Sequence, residues 1–554
     1  MKATKWYVAD FETTSYGYYL DNGYTKVWLF AVCDNDANVT QIGTSIEQFI
    51  EYIKTLYGKT IYFHNLKFDG EFILSYLLST GWQYYEDLKD TKKGFTCLIG
   101  EMGEFYGLDI KFTTNKIVHI HDSMKLLPFK VEKIAKDFNL PILKLKIDYN
   151  DYTITKEKIE YISHDVRIVA MALSQIKDEG MTRMTTASCA YNMYKSMRND
   201  EFMERTFPTL TNEFLNKWRE AYRGGRSQVN PIYQDKILEH ISRFDINSMY
   251  PSIMYNEPLP YGEPIMINEM GETKFELYHM LIGFTLKEGH LPTLLRKSGL
   301  YAFDDSYYIE TEGVEELWLS SIDYELVQRH YNIYYVKILD MCGFRTSRLL
   351  FIDYVSKWYT KKNEDYGAKK VVDKFMLNCL YGKFGSNHEG YHKIPELDEI
   401  SGKVRYKKSE VMDMKKYYLP MAIAITSYAH KYIDDAIIAT GIENFVYCDT
   451  DSIHTLGTLP KNMIDNKELG KFKLESIEEK GKYVRQKTYI TLEKDGYHIT
   501  CAGMTDEMKD TTIKTYKDHV FDIFTKGFEV GGKLIPKHVK GGIVLYETTF
   551  KIRS

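Results

Sequence analysis

Short apolar and polar runs alternate over the first 185 residues, and they read as strands and helices in turn. Residues 6–8 predict a strand leading into Asp10, and 61–63 predict another, followed by a loop and a helical stretch over 70–78. The clearest helix is predicted over 156–175: Ile159, Ile162, Val166, Val169 and Leu173 share one stripe, and Thr155 stands at its N-cap. This alternation indicates an α/β module. Beyond about residue 185 the pattern becomes mixed and aromatic, which places a boundary there; the glycine pair at 224–225 in AYRGGR is a second flexible point. The apolar run 442–446, interrupted by Glu443 and Asn444, leads into YCDTDSIH, so Asp449 and Asp451 are expected at the tip of a hairpin. Asp-Thr-Asp is ordinary turn chemistry, and it is also a way to hold a hard divalent cation.

A chain of 554 residues exceeds what one core supports and should divide into several domains. Hydrophobic content of 44% and charged content of 27% are those of a soluble globular protein, and no apolar run approaches the roughly 18 residues that span a bilayer. The start, MKATKWYVADFETT, has no apolar signal region, so the chain is expected to stay where it is made. Seven scattered cysteines without a CxxC pair argue against a disulfide framework or zinc site and suit a reducing cytoplasm. The net charge of −5 speaks against a uniformly basic nucleic-acid binder but leaves room for a local basic groove. The 46 tyrosines against 28 phenylalanines suit surfaces that stack on bases while facing water.

Acids in the first module fall in a pattern. In ADFETT, Asp10 and Glu12 leave one face of a strand. FHNLKFDGEF supplies Asp69, and YISHD places Tyr161 and Asp165 one helical turn apart. Four acids from three segments are able to enclose two divalent ions, activating a water and stabilising the leaving oxygen of a phosphodiester.

The later half offers partners for the aspartate pair. RFDINSMYPSIMY puts Asp245 at a strand end, followed by Ser248 and Tyr250 in a tight segment that Pro251 stiffens. Asp245, Asp449 and Asp451 together suit two Mg²⁺ ions. In AKKVVDKFMLNCLYGKFG, Lys370, Lys374, Asn378 and Tyr381 share one helical face, with Val372, Phe375, Met376 and Cys379 opposite. Gly382 follows, where a nucleotide is able to approach closely.

The first set resembles the three exonuclease motifs of the DEDD superfamily, here Asp10-Phe11-Glu12, Asn65-Leu66-Lys67-Phe68-Asp69 and Tyr161-Ile162-Ser163-His164-Asp165. The resemblance implies 3′–5′ excision with Asp10, Glu12, Asp69 and Asp165 as metal ligands and Tyr161 orienting the water. It implies Lys144, with Lys146 as competitor, near the scissile phosphate. Thr13, His64, Asn65, Phe68, Phe72 and Ser123 are implied to hold the single strand; a satisfied core histidine is the competing reading of His64. The second set resembles motifs A, B and C of family B DNA polymerases. Both sets in this order, with FHNLKFDG, AYRGG, LPYGEP, MLNCLYGKF, RQKTYI and CAGMTD, are similar to the protein-primed phage polymerases of the phi-twenty-nine type, the Bacillus-phage group. Ser123-Met124, where the group has Ser-Leu, and Cys379, where Ser is usual, are departures.

That resemblance implies α/β and α+β multidomain architecture: a ribonuclease H-like exonuclease domain (1–185) ahead of a right-hand polymerase. Its parts are palm (186–256 and 420–518), fingers (351–385), thumb (519–554) and two terminal protein regions (257–350 and 386–419). Asp245 and Asp451 are implied as the main ligands of the metals, with Asp449 supporting; the assignment extends to Ile246 beside Asp245. Mg²⁺ is the implied ion, two per site, with Mn²⁺ able to substitute. Lys362, Lys374 and Lys370 grip the triphosphate, Tyr250 excludes a 2′-hydroxyl, and Asn378 and Tyr381 check the nascent pair. Lys487 and Tyr489 steady the primer terminus, and Arg223, Gly224 and Gly225 distribute the primer between sites. Implied partners are template-primer and single-stranded DNA, dNTPs and a terminal protein carrying the priming hydroxyl, the chain acting as a monomer or a heterodimer with that protein in the cytoplasm of an infected bacterium. An oligonucleotide-primed family B polymerase is the alternative. A lone exonuclease on a binding scaffold and a non-enzymatic DNA-binding protein are the others, and both leave the intact aspartates at 245, 449 and 451 without purpose.

Overall fold

The computed structural model describes residues 5–148, 151–296 and 306–553; residues 297–305 of the first predicted insertion lie outside the described residues. The N-terminal module is built on a seven-stranded sheet. Its spatial order is Val39–Gly43, Val27–Asp34, Trp6–Thr13, Thr60–Phe63, Lys116–Asp122, Phe105–Thr113 and Gly94–Ile99. Only the central three strands run parallel to one another; the others pair antiparallel. Val27–Asp34, VWLFAVCD, is buried throughout, as a strand covered on both faces must be. One face carries the helix Lys156–Asp178, and Leu66–Ser79 covers the other.

The predicted helix is found and runs three residues further. The Thr155 hydroxyl accepts from the Lys158 amide, and Ile162, Val166, Val169 and Leu173 are buried. Ile159 is only half-buried, and Lys158 lies inside with its ammonium on the Asp151 carboxylate. Trp6–Thr13 extends through Asp10 and Glu12, so both acids sit within the strand rather than past its end. A correction also applies to 442–446. Phe445–Asp449 is the strand, while 442–444 turn, because the amides of Asn444 and Phe445 bond back to the Gly441 carbonyl.

A second seven-stranded sheet, antiparallel throughout, has the order Gly496–Cys501, Thr488–Glu493, Phe472–Arg485, Ile237–Ile246, Ser452–Thr455, Phe445–Asp449 and Ser227–Val229. The almost wholly buried helix Leu419–Thr440 lies behind it, and Ile352–Glu364 and Gly367–Phe384 pack on each other and on the helix Met249–Asn256. Between Met249–Asn256 and those helices, Leu259–Met266, Tyr331–Ser347, Phe275–Leu286 and Glu315–Ser320 form a separate sheet. A hairpin of Lys393–Asp398 and Lys403–Lys408 follows Phe384, and the chain closes on a hairpin of Glu529–Val539 and Gly542–Lys551.

Candidate active sites

The first site lies where the parallel strands end. Asp10 and Glu12 project from one face of Trp6–Thr13. Asp69 leaves the first turn of Leu66–Ser79, whose entry is fixed by Asn65 in the left-handed region (φ 77°) with its amide on Asp122 Oδ1 at 3.1 Å. Tyr161 and Asp165 face the same space from Lys156–Asp178. Together with His64, Asn65, Phe68 and Lys144 they line a cavity of about 410 Å³, closed on one side by Leu545 of the C-terminal hairpin.

Burial, then the proximity of Asp165, pushes the Asp10 carboxyl up to about 7; burial, then Asp10, pushes Glu12 up to about 8. Asp69 is raised well above the carboxylate range by the same two causes. Asp165 is raised less: Lys144 donates to its Oδ2, and Tyr161 bonds it as well. Lys146 is exposed and does not line the cavity, so Lys144 is the lysine at this site. The buried Asp165 Oδ1 has no hydrogen-bond partner, and every donor here is a carboxylate oxygen, a set that fits a hard divalent cation.

His64 is held on both nitrogens, Nε2 donating to the Phe129 carbonyl at 2.7 Å and Nδ1 meeting the Ser123 hydroxyl at 2.9 Å. Burial holds its pKa below the ordinary histidine value. Two expected strand contacts need correction. Ser123 is fully buried and Phe72 is 2% exposed, packed on Phe68 and beneath Gly542, so neither offers a surface to a strand. Thr13 is half-buried at the strand end, outside the cavity lining; Asn65 is exposed at the mouth.

The second site sits at one end of the other sheet. Strand register sets Ser452 opposite Asp245 and Asp449 opposite both Ser452 and Ser227, which brings Asp245 and the two aspartates of the neighbouring hairpin to one end of the sheet. Between Asp449 and Asp451 the chain reverses through Thr450 at φ 59°, with the Asp451 amide on the Asp449 carbonyl at 2.7 Å. The Ile246 amide donates to the Asp451 carbonyl at 2.8 Å, tying the two motifs together, while the Ile246 side chain is core. Asp245 is pushed up to about 7 by burial, then Asp451, then Glu475. Among the described residues only Glu493, Asp495 and His498, on an exposed hairpin, bring three candidate ligand atoms within 4.8 Å; the acids of the two sites stand further apart.

Lysines and rings face this edge. Lys362 donates to Ser248 Oγ at 2.8 Å. Tyr250 and Tyr381 stack with centroids 3.8 Å apart. Lys370 and Lys374 are exposed, and Asn378 half-buried, on the outer face of Gly367–Phe384. Its inner face is centred on Val372, Met376 and Leu380, so Phe375 and Cys379 lie on the flank. Lys487 grips both oxygens of Asp449 at 2.6 Å, and Tyr489 packs on Tyr447 and Tyr483. Gly225 abuts Thr450, where an added Cβ would meet Oγ1 at 2.7 Å, and Gly224 is exposed. Arg223 departs from expectation: its guanidinium is buried and donates to the carbonyls of Leu295 and Trp318, so it presents no charge to a phosphate.

Sequence reasoning missed Glu475 and Lys473, next to Asp245 on the neighbouring strand, and Asp122, which orders Asn65. It missed the buried Arg226–Asp434 pair as well. Only Arg226 carried a signal, as the last residue of AYRGGR.

The chain matches the model of DNA polymerase type B, organellar and viral, over residues 53–152 and 147–469. The DNA polymerase of Bacillus phage Nf is 37% identical over 99% of this chain and 100% of its own length. That of Bacillus phage phi29 is 36% identical over 99% of each, and that of Streptococcus phage Cp-1 33% identical over 100% of this chain and 99% of its own. The solved phi29 DNA polymerase, complexed with primer-template DNA and incoming nucleotide substrates, superposes at a TM-score of 0.90 with 34% identity, covering 99% of this chain and 100% of that one. With two carboxylate-lined sites on two sheets and full-length likeness to these phage enzymes, the chain belongs to the type B DNA polymerases, organellar and viral.

Proposed function

We propose that the chain is a protein-primed DNA polymerase that proofreads with its own 3′–5′ exonuclease, copying a linear phage genome in the cytoplasm of an infected bacterium with strand displacement. The observation that carries this reading is the pair of separate carboxylate clusters, each on its own sheet. Support comes from phi29 DNA polymerase, solved with primer-template DNA, with single-stranded DNA and with incoming nucleotides. Domain limits follow the sequence assignment: exonuclease to 185, palm 186–256 and 420–518, terminal protein regions 257–350 and 386–419, fingers 351–385, thumb beyond 518.

Divalent ions, Mg²⁺ first, would be held by Asp10, Glu12, Asp69 and Asp165 in one site and by Asp245 and Asp451, with Asp449, in the other; they supply charge neutralisation and nucleophile activation. In the exonuclease site Tyr161 orients the water that attacks the last phosphodiester, and Lys144 neutralises charge as the 3′ oxygen departs. His64, fixed on both nitrogens, holds Ser123 and the cavity wall in place. In the polymerase site a 3′ hydroxyl, or a terminal protein's hydroxyl at initiation, attacks the α-phosphate and pyrophosphate leaves. Lys362, Lys370 and Lys374 bind the triphosphate. The Tyr250 ring, fixed by Tyr381, fills the place of a 2′-hydroxyl, while Tyr381 and Asn378 lie along the nascent pair. Lys487, already at Asp449, stands where the primer terminus must lie.

Labelled primer-template with Mg²⁺ tests the reading: extension with dNTPs and shortening without them support it, and absence of either overturns that half. Incorporation of the first nucleotide onto a terminal protein without oligonucleotide separates protein priming from the oligonucleotide-primed alternative.

A further inference from the structure

Behind the polymerase turn, helices Ser321–His330 and Leu419–Thr440 are joined by two buried imidazole–carboxylate pairs of opposite polarity. His430 Nδ1 meets Asp323 Oδ1 at 3.0 Å, and His330 Nε2 meets Asp434 Oδ2 at 2.9 Å; no more than 3% of any of these four residues is exposed. Each pair also reaches past the helices into the segment beside Thr450. The other nitrogen of His430, Nε2, lies 2.6 Å from the Gly224 carbonyl. Asp434 Oδ1 accepts from Arg226 at 3.0 Å, and the Arg226 carbonyl in turn accepts from the Thr450 amide at 2.7 Å.

Asp323 Oδ2 accepts from the hydroxyls of Ser320 and Ser427 at 2.9 and 2.6 Å, which leaves Oδ1 to His430. Each nitrogen of the ring thus faces an oxygen, one on the neighbouring helix and one on the backbone at Gly224. One of its two bonds cements helix to helix. The other serves no helix: it holds the backbone at Gly224, next to the glycine that abuts Thr450. Thr450 is β-branched and left-handed at φ 59°, a strained conformation that persists only where its surroundings impose it.

We propose that His430 is a positioning residue for nucleotide addition, acting through the Gly224 carbonyl to keep 224–226 pressed on Thr450 and so to fix Asp449 and Asp451 relative to Asp245. This rests on the reading of those aspartates as the polymerase centre. His430 meets none of Asp245, Asp449 and Asp451, and its effect is confined to one of the two sites.

Two near-isosteric variants of the full chain separate this role from simple helix cement. In His430→Gln the amide nitrogen stands near Nε2 and keeps the bond to Gly224; in His430→Asn it stands near Nδ1, keeps Asp323 and releases Gly224. Loss of a supporting bond of this kind costs about tenfold or more, so the Asn variant is expected to add nucleotides about tenfold slower in single turnover, with KM for dNTP little changed. Its backbone amides over 447–453 should exchange hydrogen faster, while degradation of single-stranded DNA stays at the parent rate. The Gln variant should stay near the parent in all four. Equal losses in the two variants, parallel loss of addition and degradation, or unchanged exchange over 447–453 in the Asn variant would overturn the proposal. A parent chain that adds no nucleotide would instead refute the polymerase assignment, and the exchange comparison would still decide the role of His430.

Discussion

Asp10 and Glu12 take up protons on folding, because burial, with Asp165 near Asp10 and Asp10 near Glu12, raises them to about 7 and 8 from ordinary values near 4. These two groups therefore bind more protons in the folded chain than in the unfolded one between about pH 4 and 8, and their contribution to stability falls as pH rises through that window. In EDTA, the melting temperature should decline from pH 5 to 8, and Asp10→Asn with Glu12→Gln should flatten the decline; a parallel slope in the double variant would refute these shifts. At the other site, Tyr250→Val removes a ring stacked on Tyr381, and the ratio of ribo- to deoxynucleotide incorporation should rise. An unchanged ratio in single-nucleotide kinetics would move the gate elsewhere. At this scale the sequence was legible where spacing reports geometry: residues two apart on a strand or four apart on a helix share a face whatever the rest of the chain does. It was illegible where a partner is remote. Arg226 and Asp434 are 208 positions apart, and nothing local tells that Arg223 turns inward, or that Phe72 and Ser123 are covered.

Elements show the same division. The helix Lys156–Asp178 was readable from its stripe and cap, and the Asp-Thr-Asp turn from its residues, but Phe445 rather than Ile442 opens the strand because Gly441 accepts two amides. The stretch around the hairpin after Phe384 carries Lys393, Lys403, Arg405, Lys407, Lys408, Lys415 and Lys416, a composition that suits a clamp on DNA phosphates. Its charges are less available than its composition suggests: Arg405 pairs with Asp398, Lys407 with Glu396 and Lys408 with Glu101. Replacing 387–417 by a short Gly-Ser linker should preserve single-nucleotide addition on a primed template. It should sharply shorten products made in one binding event against a DNA trap, and stop synthesis at a downstream duplex. A deletion variant that copies long templates and displaces strands like the parent would leave the hairpin a surface ornament.

Across the whole molecule, distant hairpins complete the core of the N-terminal module. Val404 of that hairpin and Ile543 of the C-terminal one belong to the same buried cluster as Phe63, Phe72 and Ile73. Glu71 joins them by polar contacts, accepting from the Tyr406 hydroxyl at 2.7 Å and paired with His538 Nε2 at 3.1 Å. Removing one partner of a buried pair costs about 3–5 kcal/mol. The 38% exposure of His538 argues for the lower end or less in Glu71→Ala, seen as a lower melting temperature with faster hydrogen exchange in both hairpins; exchange confined to one hairpin would contradict a shared anchor. Such bridging is beyond sequence pattern, since it depends on how whole sheets pack.

The account stands on two independent carboxylate sites in one chain, and paired variants test that most directly. Asp10→Ala with Glu12→Ala should abolish degradation of single-stranded DNA and leave primer extension near the parent level, while Asp451→Ala should abolish extension and leave degradation. Loss of both activities in either protein, with its melting temperature unchanged, would contradict the account.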